Sequence, residues 1–318
     1  MAIQFQNPKE YIAELIGTMI FIAIGCTVAA YAWRGGSSLM VAFGFAAAFI
    51  GLIYCIGKVS DCHFNPLITL SMFINGRMNA ADTLFYVLAQ IIGGILGAIF
   101  SFFLVSQSPA LFPNNNVIVY PSVYGGSFPY MVGIEVIGAF LLEMFFAFIL
   151  CYIALKATES RKIEMKSGAI IAAAMFALIY FGCMVTYTAV NPAKSIGAAF
   201  AMLFSGAQDK SEPLIQLWLF IIAPAIGALI ASFAYMILES GSFDVDKFVE
   251  DMKKKKEEKA AQKAAEAEAK AEAEAAAAEA EATEEAAEEA PAEEEVSEEI
   301  PEIESIEEEP AAPEEKQE

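Results

Sequence analysis

Histidine is nearly absent from this chain, and positive charge is scarce over most of it. Among 318 residues there is one histidine, His63, and two tryptophans. No nucleophile–base set stands out, so an enzyme is not expected. Five cysteines occur (Cys26, Cys55, Cys62, Cys151 and Cys183), mostly in apolar runs and without a Cys-x-x-Cys pair or zinc-type spacing. Neither a disulfide frame nor a zinc site is indicated. Residues 1–243 hold 10 Lys and Arg against 11 Asp and Glu. Without a basic surface, nucleic acid is not a partner, because phosphate binding needs Lys and Arg.

Apolar residues fill the space that charge leaves. The chain is 57% hydrophobic, with a mean hydropathy of +0.51. Its acidity is concentrated at the end: residues 244–318 hold 29 Asp and Glu against 9 Lys and Arg. The sequence therefore divides into an apolar body, 1–243, and an acidic tail, 244–318.

A spanning helix needs about 20 mostly apolar residues. Six stretches qualify, near 10–33, 38–58, 82–106, 131–156, 167–188 and 213–238. Two shorter ones, 66–75 and 192–204, each follow an Asn-Pro pair, at Asn65-Pro66 and Asn191-Pro192. Asn caps a helix, and Pro fits the first turn, where its missing N–H is not needed. Each pair thus starts a half-helix inside the membrane. The order is three spans with a half-helix after the second, then the same again, in repeats of about 8–106 and 130–240. An odd number of spans per repeat makes the second copy inverted, and matched broken helices mark the transport path. Small residues such as Gly93, Gly94, Gly97, Gly138 and Gly227 let such helices approach closely.

Orientation follows the basic residues. Lys9, Lys58, Arg77, Lys156, Arg161, Lys162 and Lys166 fall on one side with the tail, whereas Arg34 and Lys210 fall on the other. Both termini are expected in the cytoplasm, with no cleavable leader. In the tail, Val245, Phe248, Val249 and Met252 precede Lys253 to Lys256. This stretch fits either an anionic membrane surface or a solvated helix. Residues 257–290 read as a partly helical spacer, and the remainder as disordered. No tail partner can be named.

Half-helices that meet N-terminus to N-terminus present two positive dipole ends. A cation is repelled there and a neutral molecule is not. Asn65 and Asn191 would point amide donors at a passing water and break the chain along which a proton hops. Glu14 precedes Asn65 by 51 residues and Glu143 precedes Asn191 by 48, so the two carboxylates are expected to accept hydrogen bonds from the half-helix loops. A proton-coupled secondary transporter using Glu14, Glu143 and Lys194 is the competing class. His63 either lines the cytoplasmic mouth or has a structural role, and Gln90 bonds a loop. Cys62, three residues before Asn65, is expected to face the pore.

Residues 1–243 resemble the aquaporin (major intrinsic protein) family. Ala13-Glu14-Leu15-Ile16-Gly17-Thr18 is similar to its first-helix signature and Ala89-Gln90-Ile91-Ile92-Gly93-Gly94 to its third-helix motif. His63-Phe64-Asn65-Pro66-Leu67 and Asn191-Pro192-Ala193 resemble its paired boxes. The resemblance implies an all-α, right-handed bundle of six transmembrane helices plus two half-helices. It further implies a homotetramer in the plasma membrane, one pore per subunit, passing water or small neutral solutes such as glycerol, with no cofactor.

Two departures stand out. Leu67 replaces the usual alanine and would pack against the second box. Lys194 replaces the arginine of the outer filter, keeping the charge but losing the planar fork. By the same resemblance, Phe45 is the filter's aromatic wall, Thr188 its outer-loop position, and Ile179 or Tyr180 its fifth-helix position. Ser195 and Thr188 favour water, whereas the missing histidine favours a wider or more apolar filter.

Overall fold

The computed structural model describes residues 7–35, 37–126, 132–159 and 165–239. The chain divides into two units, Met1–Phe243 and Asp244–Glu318. The tail, with its basic run at Lys253 to Lys256 and its Ala/Glu spacer, lies outside the described residues, as do Arg161 and Lys162 and the side chain of Arg34.

All the regular structure among the described residues is helical: α1 Pro8–Gly35, α2 Ser38–Ile56, α3 Pro66–Ile74, α4 Ala80–Ser106, α5 Val136–Ala157, α6 Met165–Gly182, α7 Pro192–Met202, α8 Glu212–Ile215 and α9 Leu219–Glu239, with one 3₁₀ turn at Pro113–Asn115. Six of these helices are long and apolar enough to cross a membrane. Large side chains on their outer faces are bare, among them Phe43, Tyr54, Phe103 and Ile137. In water that would be costly, but it suits contact with lipid tails. The half-helices α3 and α7 have 9 and 11 residues. At 1.5 Å per residue each reaches only about half of the ~30 Å hydrocarbon core.

Three spans end differently from the hydropathy reading. The apolar stretch 167–188 leaves the helix at Gly182, and 183–188 turns inward as loop. The stretch 213–238 is split into α8 and α9 by a break at 216–218. The stretch 131–156 becomes helical only at Val136. Hydropathy counts apolar residues in a window and does not separate helix from the apolar loop that continues it.

The two repeats pack alike. α1 lies on α2 and α4, just as α5 lies on α6 and α9. Each half-helix then crosses over: α7 packs on α4 of the first repeat, and α3 on α9 of the second. The α4–α7 approach depends on two glycines. A Cβ on Gly94 would lie 2.3 Å from the Ala193 carbonyl oxygen, and one on Gly197 would lie 2.2 Å from that of Gly94. Backbone cannot yield as a flexible side chain does. Gly94→Val is therefore expected to displace α7, lower the melting temperature in detergent and remove water flux. Gly51→Ala, with open space around it, should change neither.

At the far end of α3, Arg77 fastens the repeats together. Its guanidinium donates to Leu155 O at 2.9 Å, Thr158 O at 3.2 Å and Tyr235 Oη at 2.7 Å. It thereby satisfies carbonyls at the end of α5, where helices leave acceptors unpaired. Beside it, Lys156 and Tyr235 hold the Glu159 carboxyl below the usual carboxylate range.

Candidate functional site

The half-helices meet at their N-termini. Asn65 caps α3 through Oδ1, which accepts from Leu67 N at 2.9 Å. Asn191 caps α7 the same way, accepting from Ala193 N at 3.0 Å and Lys194 N at 3.4 Å. Pro66 and Pro192 occupy the first helical position of each. The two amides then cross. Asn65 Nδ2 donates to Val190 O at 2.7 Å and Asn191 Nδ2 to Phe64 O at 2.9 Å. An amide has two N–H donors, so each Asn keeps one after fastening the opposite loop. The aligned peptide dipoles of both half-helices add positive partial charge at the same place.

The loops leading to the Asn residues have unusual backbones. Cys62, Phe64, Tyr187, Thr188 and Val190 have φ between 31° and 56°. Such non-glycine residues cost about 1–3 kcal/mol each and persist only where their surroundings hold them. Here two buried carboxylates do the holding. Glu14 accepts from His63 N (2.9 Å), Phe64 N (2.8 Å), Ser60 Oγ (3.0 Å) and Gln90 Nε2 (2.8 Å). Glu143 accepts from Thr186 Oγ1 (2.5 Å), Ala189 N (2.9 Å) and Val190 N (3.2 Å). In both repeats the carboxylate takes the two N–H groups just before the capping Asn. Gln90 also reaches Thr69 Oγ1 at 2.9 Å, and Thr69 meets His63 Nδ1 at 3.0 Å. His63 is thus bound into this support network and lies 5.5 Å from the Tyr86 ring.

On the α7 side of the junction lies a narrow cavity of about 20 Å³, room for a single water. Phe45, Ile179, Thr188, Lys194, Asn65 and Asn191 all line it. Tyr180 is not among them. It is half exposed and stacked on Phe176 at 6.2 Å, so Ile179 is the residue that faces inward. Lys194 sits in the first turn of α7 and is buried. Its ammonium donates to Tyr187 O at 2.7 Å, Ser122 Oγ at 3.0 Å and Thr188 O at 3.2 Å. Those three acceptors use its three protons.

Leu67 and Cys62 both lie buried at the half-helices. Leu67 packs with Ala147, Cys151, Ala228 and Ala231 on α5 and α9. The small residues there make room for the larger side chain. Cys62 is fully buried, with Sγ turned to Ser60 O at 3.6 Å, and is not among the residues lining the cavity.

Sequence reasoning missed Tyr120, Ser122 and Tyr187, which surround Lys194. The signal was present in Val117-Ile118-Val119-Tyr120, a run too short to span and too apolar for an exposed loop.

Comparison with known proteins agrees with this architecture. A family model described as major intrinsic protein matches residues 1–235. Glycerol uptake facilitator protein-like 6 of Lactiplantibacillus plantarum is 30% identical over 236 residues, covering 73% of this chain and 99% of the relative. Aquaporin Z of Bradyrhizobium diazoefficiens is 31% identical over 236 residues, covering 71% and 92%. The X-ray structure of the aquaglyceroporin from Plasmodium falciparum superposes with a TM-score of 0.60 at 19% identity, over 71% of this chain and 94% of that one, which bears on the fold alone. With six membrane-length helices, two crossed half-helices and a family match over the apolar body, this chain belongs to the major intrinsic protein family.

Proposed function

We propose that the protein is a passive transmembrane channel for water that rejects protons and cations where its half-helices meet. The observation that carries this reading is the crossed pair Asn65–Val190 and Asn191–Phe64 beside a cavity the size of one water. Two helix N-termini and the ammonium of Lys194 make this stretch of the path positive, so a cation would lose its hydration shell and gain nothing in return. A neutral molecule does not meet that barrier.

Proton-coupled transport is disfavoured by the same geometry. The oxygens of Glu14 and Glu143 are occupied by donors that hold the loops. A relay carboxylate needs a proton path rather than a full set of structural partners. Glycerol conduction is the second reading. It is favoured by the relative named as a glycerol uptake facilitator-like protein and by Ile179 standing where a histidine would narrow the filter.

The reading extends to a homotetramer with one pore per subunit, placed in the plasma membrane with both termini cytoplasmic. The bias of Lys and Arg toward one side supports the orientation. Stopped-flow light scattering on proteoliposomes tests the function. Fast shrinkage with a weak temperature dependence, and without any need for an ion gradient, is expected. Fast glycerol reswelling as well would select the second reading, and flux that requires a proton gradient would overturn both.

A further inference from the structure

We propose that Tyr120, carried by the loop between α4 and α5, is a fifth wall of the outer constriction, and that its ring is what holds the opening to the size of water. This rests on the channel reading of Phe45, Ile179, Thr188 and Lys194. Tyr120 lines the same cavity as those four and is buried. Its ring stacks on Tyr187 at 5.3 Å and 11° and lies 5.7 Å from Phe45. The Lys194 ammonium sits 4.4 Å from its centroid. A cation held over an aromatic face is attracted by the ring quadrupole. The tyrosine and the lysine therefore fix each other.

The loop is fastened so that this ring cannot drift. Asn115 O accepts from Gly206 N at 2.8 Å, and Val117 O from Ser205 Oγ at 2.7 Å. Val123 N donates to Thr186 O at 3.2 Å, and Tyr124 N to Gln216 Oε1 at 2.7 Å. Ser122 Oγ meets Ser195 Oγ at 2.8 Å. Between these anchors Tyr120 adopts a left-handed φ of 56°. A bulky residue is uncommon there and needs its surroundings to hold it. The strain is compensated at a place where the ring contacts the cavity.

The polar groups left in the constriction suit a molecule with few hydroxyls. Lys194 has no proton to spare. Tyr120 Oη lies beside Thr188 Oγ1 and the Cys183 thiol, and neither hydroxyl reaches a partner at ordinary hydrogen-bond geometry. Both oxygens are sealed from the cavity by their neighbours, so the constriction offers a passing molecule few polar partners. Glycerol has three hydroxyls to satisfy and a carbon chain to fit. It finds few polar partners and a ring in the way.

The test uses the full chain in proteoliposomes, comparing wild type, Tyr120→Ala and Tyr120→Phe for water and glycerol flux. Wild type is expected to pass water and hold back glycerol. Tyr120→Ala should raise the glycerol-to-water ratio by about tenfold or more, the scale on which removing a steric wall shifts selectivity. Tyr120→Phe, which keeps the ring, should hold glycerol back as wild type does. If Tyr120→Ala does not fold, Tyr120→Leu carries the same expectation, because its side chain is shorter than the ring and cannot reach across the opening. A wild type that passes no water while Tyr120→Ala does would overturn the proposal, because the ring would then close the path rather than size it. Tyr120→Ala conducting water at the wild-type ratio would overturn it. So would a wild type that already passes glycerol as fast as Tyr120→Ala. Absence of water flux from both folded proteins would overturn the channel reading itself.

Discussion

Glu143→Gln is expected to lower stability by about 4 kcal/mol and to remove water flux, although it changes a single atom. Both carboxylate oxygens of Glu143 face donors: Thr186 Oγ1 and Ala189 N on one, Ala189 N and Val190 N on the other. An amide must turn an NH₂ toward one of these sets, placing donor against donor. The substitution loses charge-assisted bonds and leaves a buried N–H unpaired, each worth about 1.5–3 kcal/mol. It also releases a loop whose Tyr187, Thr188 and Val190 depend on that anchor for their left-handed backbone. A shift of this size corresponds to a melting temperature lower by about 10 °C for a body of this length. Glu14→Gln should act alike, since Glu14 holds His63 N and Phe64 N in the first repeat. Glu239→Gln is the control. Its partner Lys156 is half exposed, and solvent screens such a surface pair so that it contributes little. Thermal melting in detergent and proteoliposome shrinkage measure the two effects. Equal melting of Glu143→Gln and Glu239→Gln would show that the carboxylate is not the loop's anchor.

What the sequence revealed and what it concealed follow from the same physics. The half-helices were legible because an Asn cap followed by Pro is a local signal, and few local structures other than a helix start satisfy both residues in an apolar setting. Glu14, Glu143 and Gln90 were legible because polar side chains inside apolar spans need partners. The end of α6 was not. Residues 183–188 continue the apolar run, yet they leave the helix so that Thr186 and Ala189 can reach Glu143. Tyr120 was concealed for a related reason. Its place depends on anchors from Gly206, Ser205 and Gln216, some 90 residues away, which no periodicity announces. Ile179 and Tyr180 were separable only once the face of α6 was known.

Asn191→Asp should open a proton leak while leaving the shape of the side chain almost unchanged. Two half-helix N-termini contribute about half a positive charge each where they meet, about one charge in total. One carboxylate at Asn191 cancels it. A unit charge about 4 Å from the path is worth about 4 kcal/mol at an effective dielectric near 20, so the barrier to a passing proton falls steeply. The substitution also replaces Nδ2, which donates to Phe64 O, with an oxygen that cannot donate. The cross-link to the first loop is lost and the remaining amide donor with it, so water flux falls as proton passage rises. Asn191→Ala separates the two causes. It removes the same cross-link and the cap on Ala193 N and Lys194 N, yet leaves the dipole ends uncancelled. It should lose about 1 kcal/mol of capping and some water flux, with protons still excluded. A pH-sensitive dye inside proteoliposomes, with the membrane potential clamped, reads the difference. A leak in Asn191→Asp alone would place proton exclusion in the field of the two helix ends. A leak of equal size in both variants would place it in the amide's hydrogen bonds instead, and no leak in either would move the barrier outward to the constriction around Lys194.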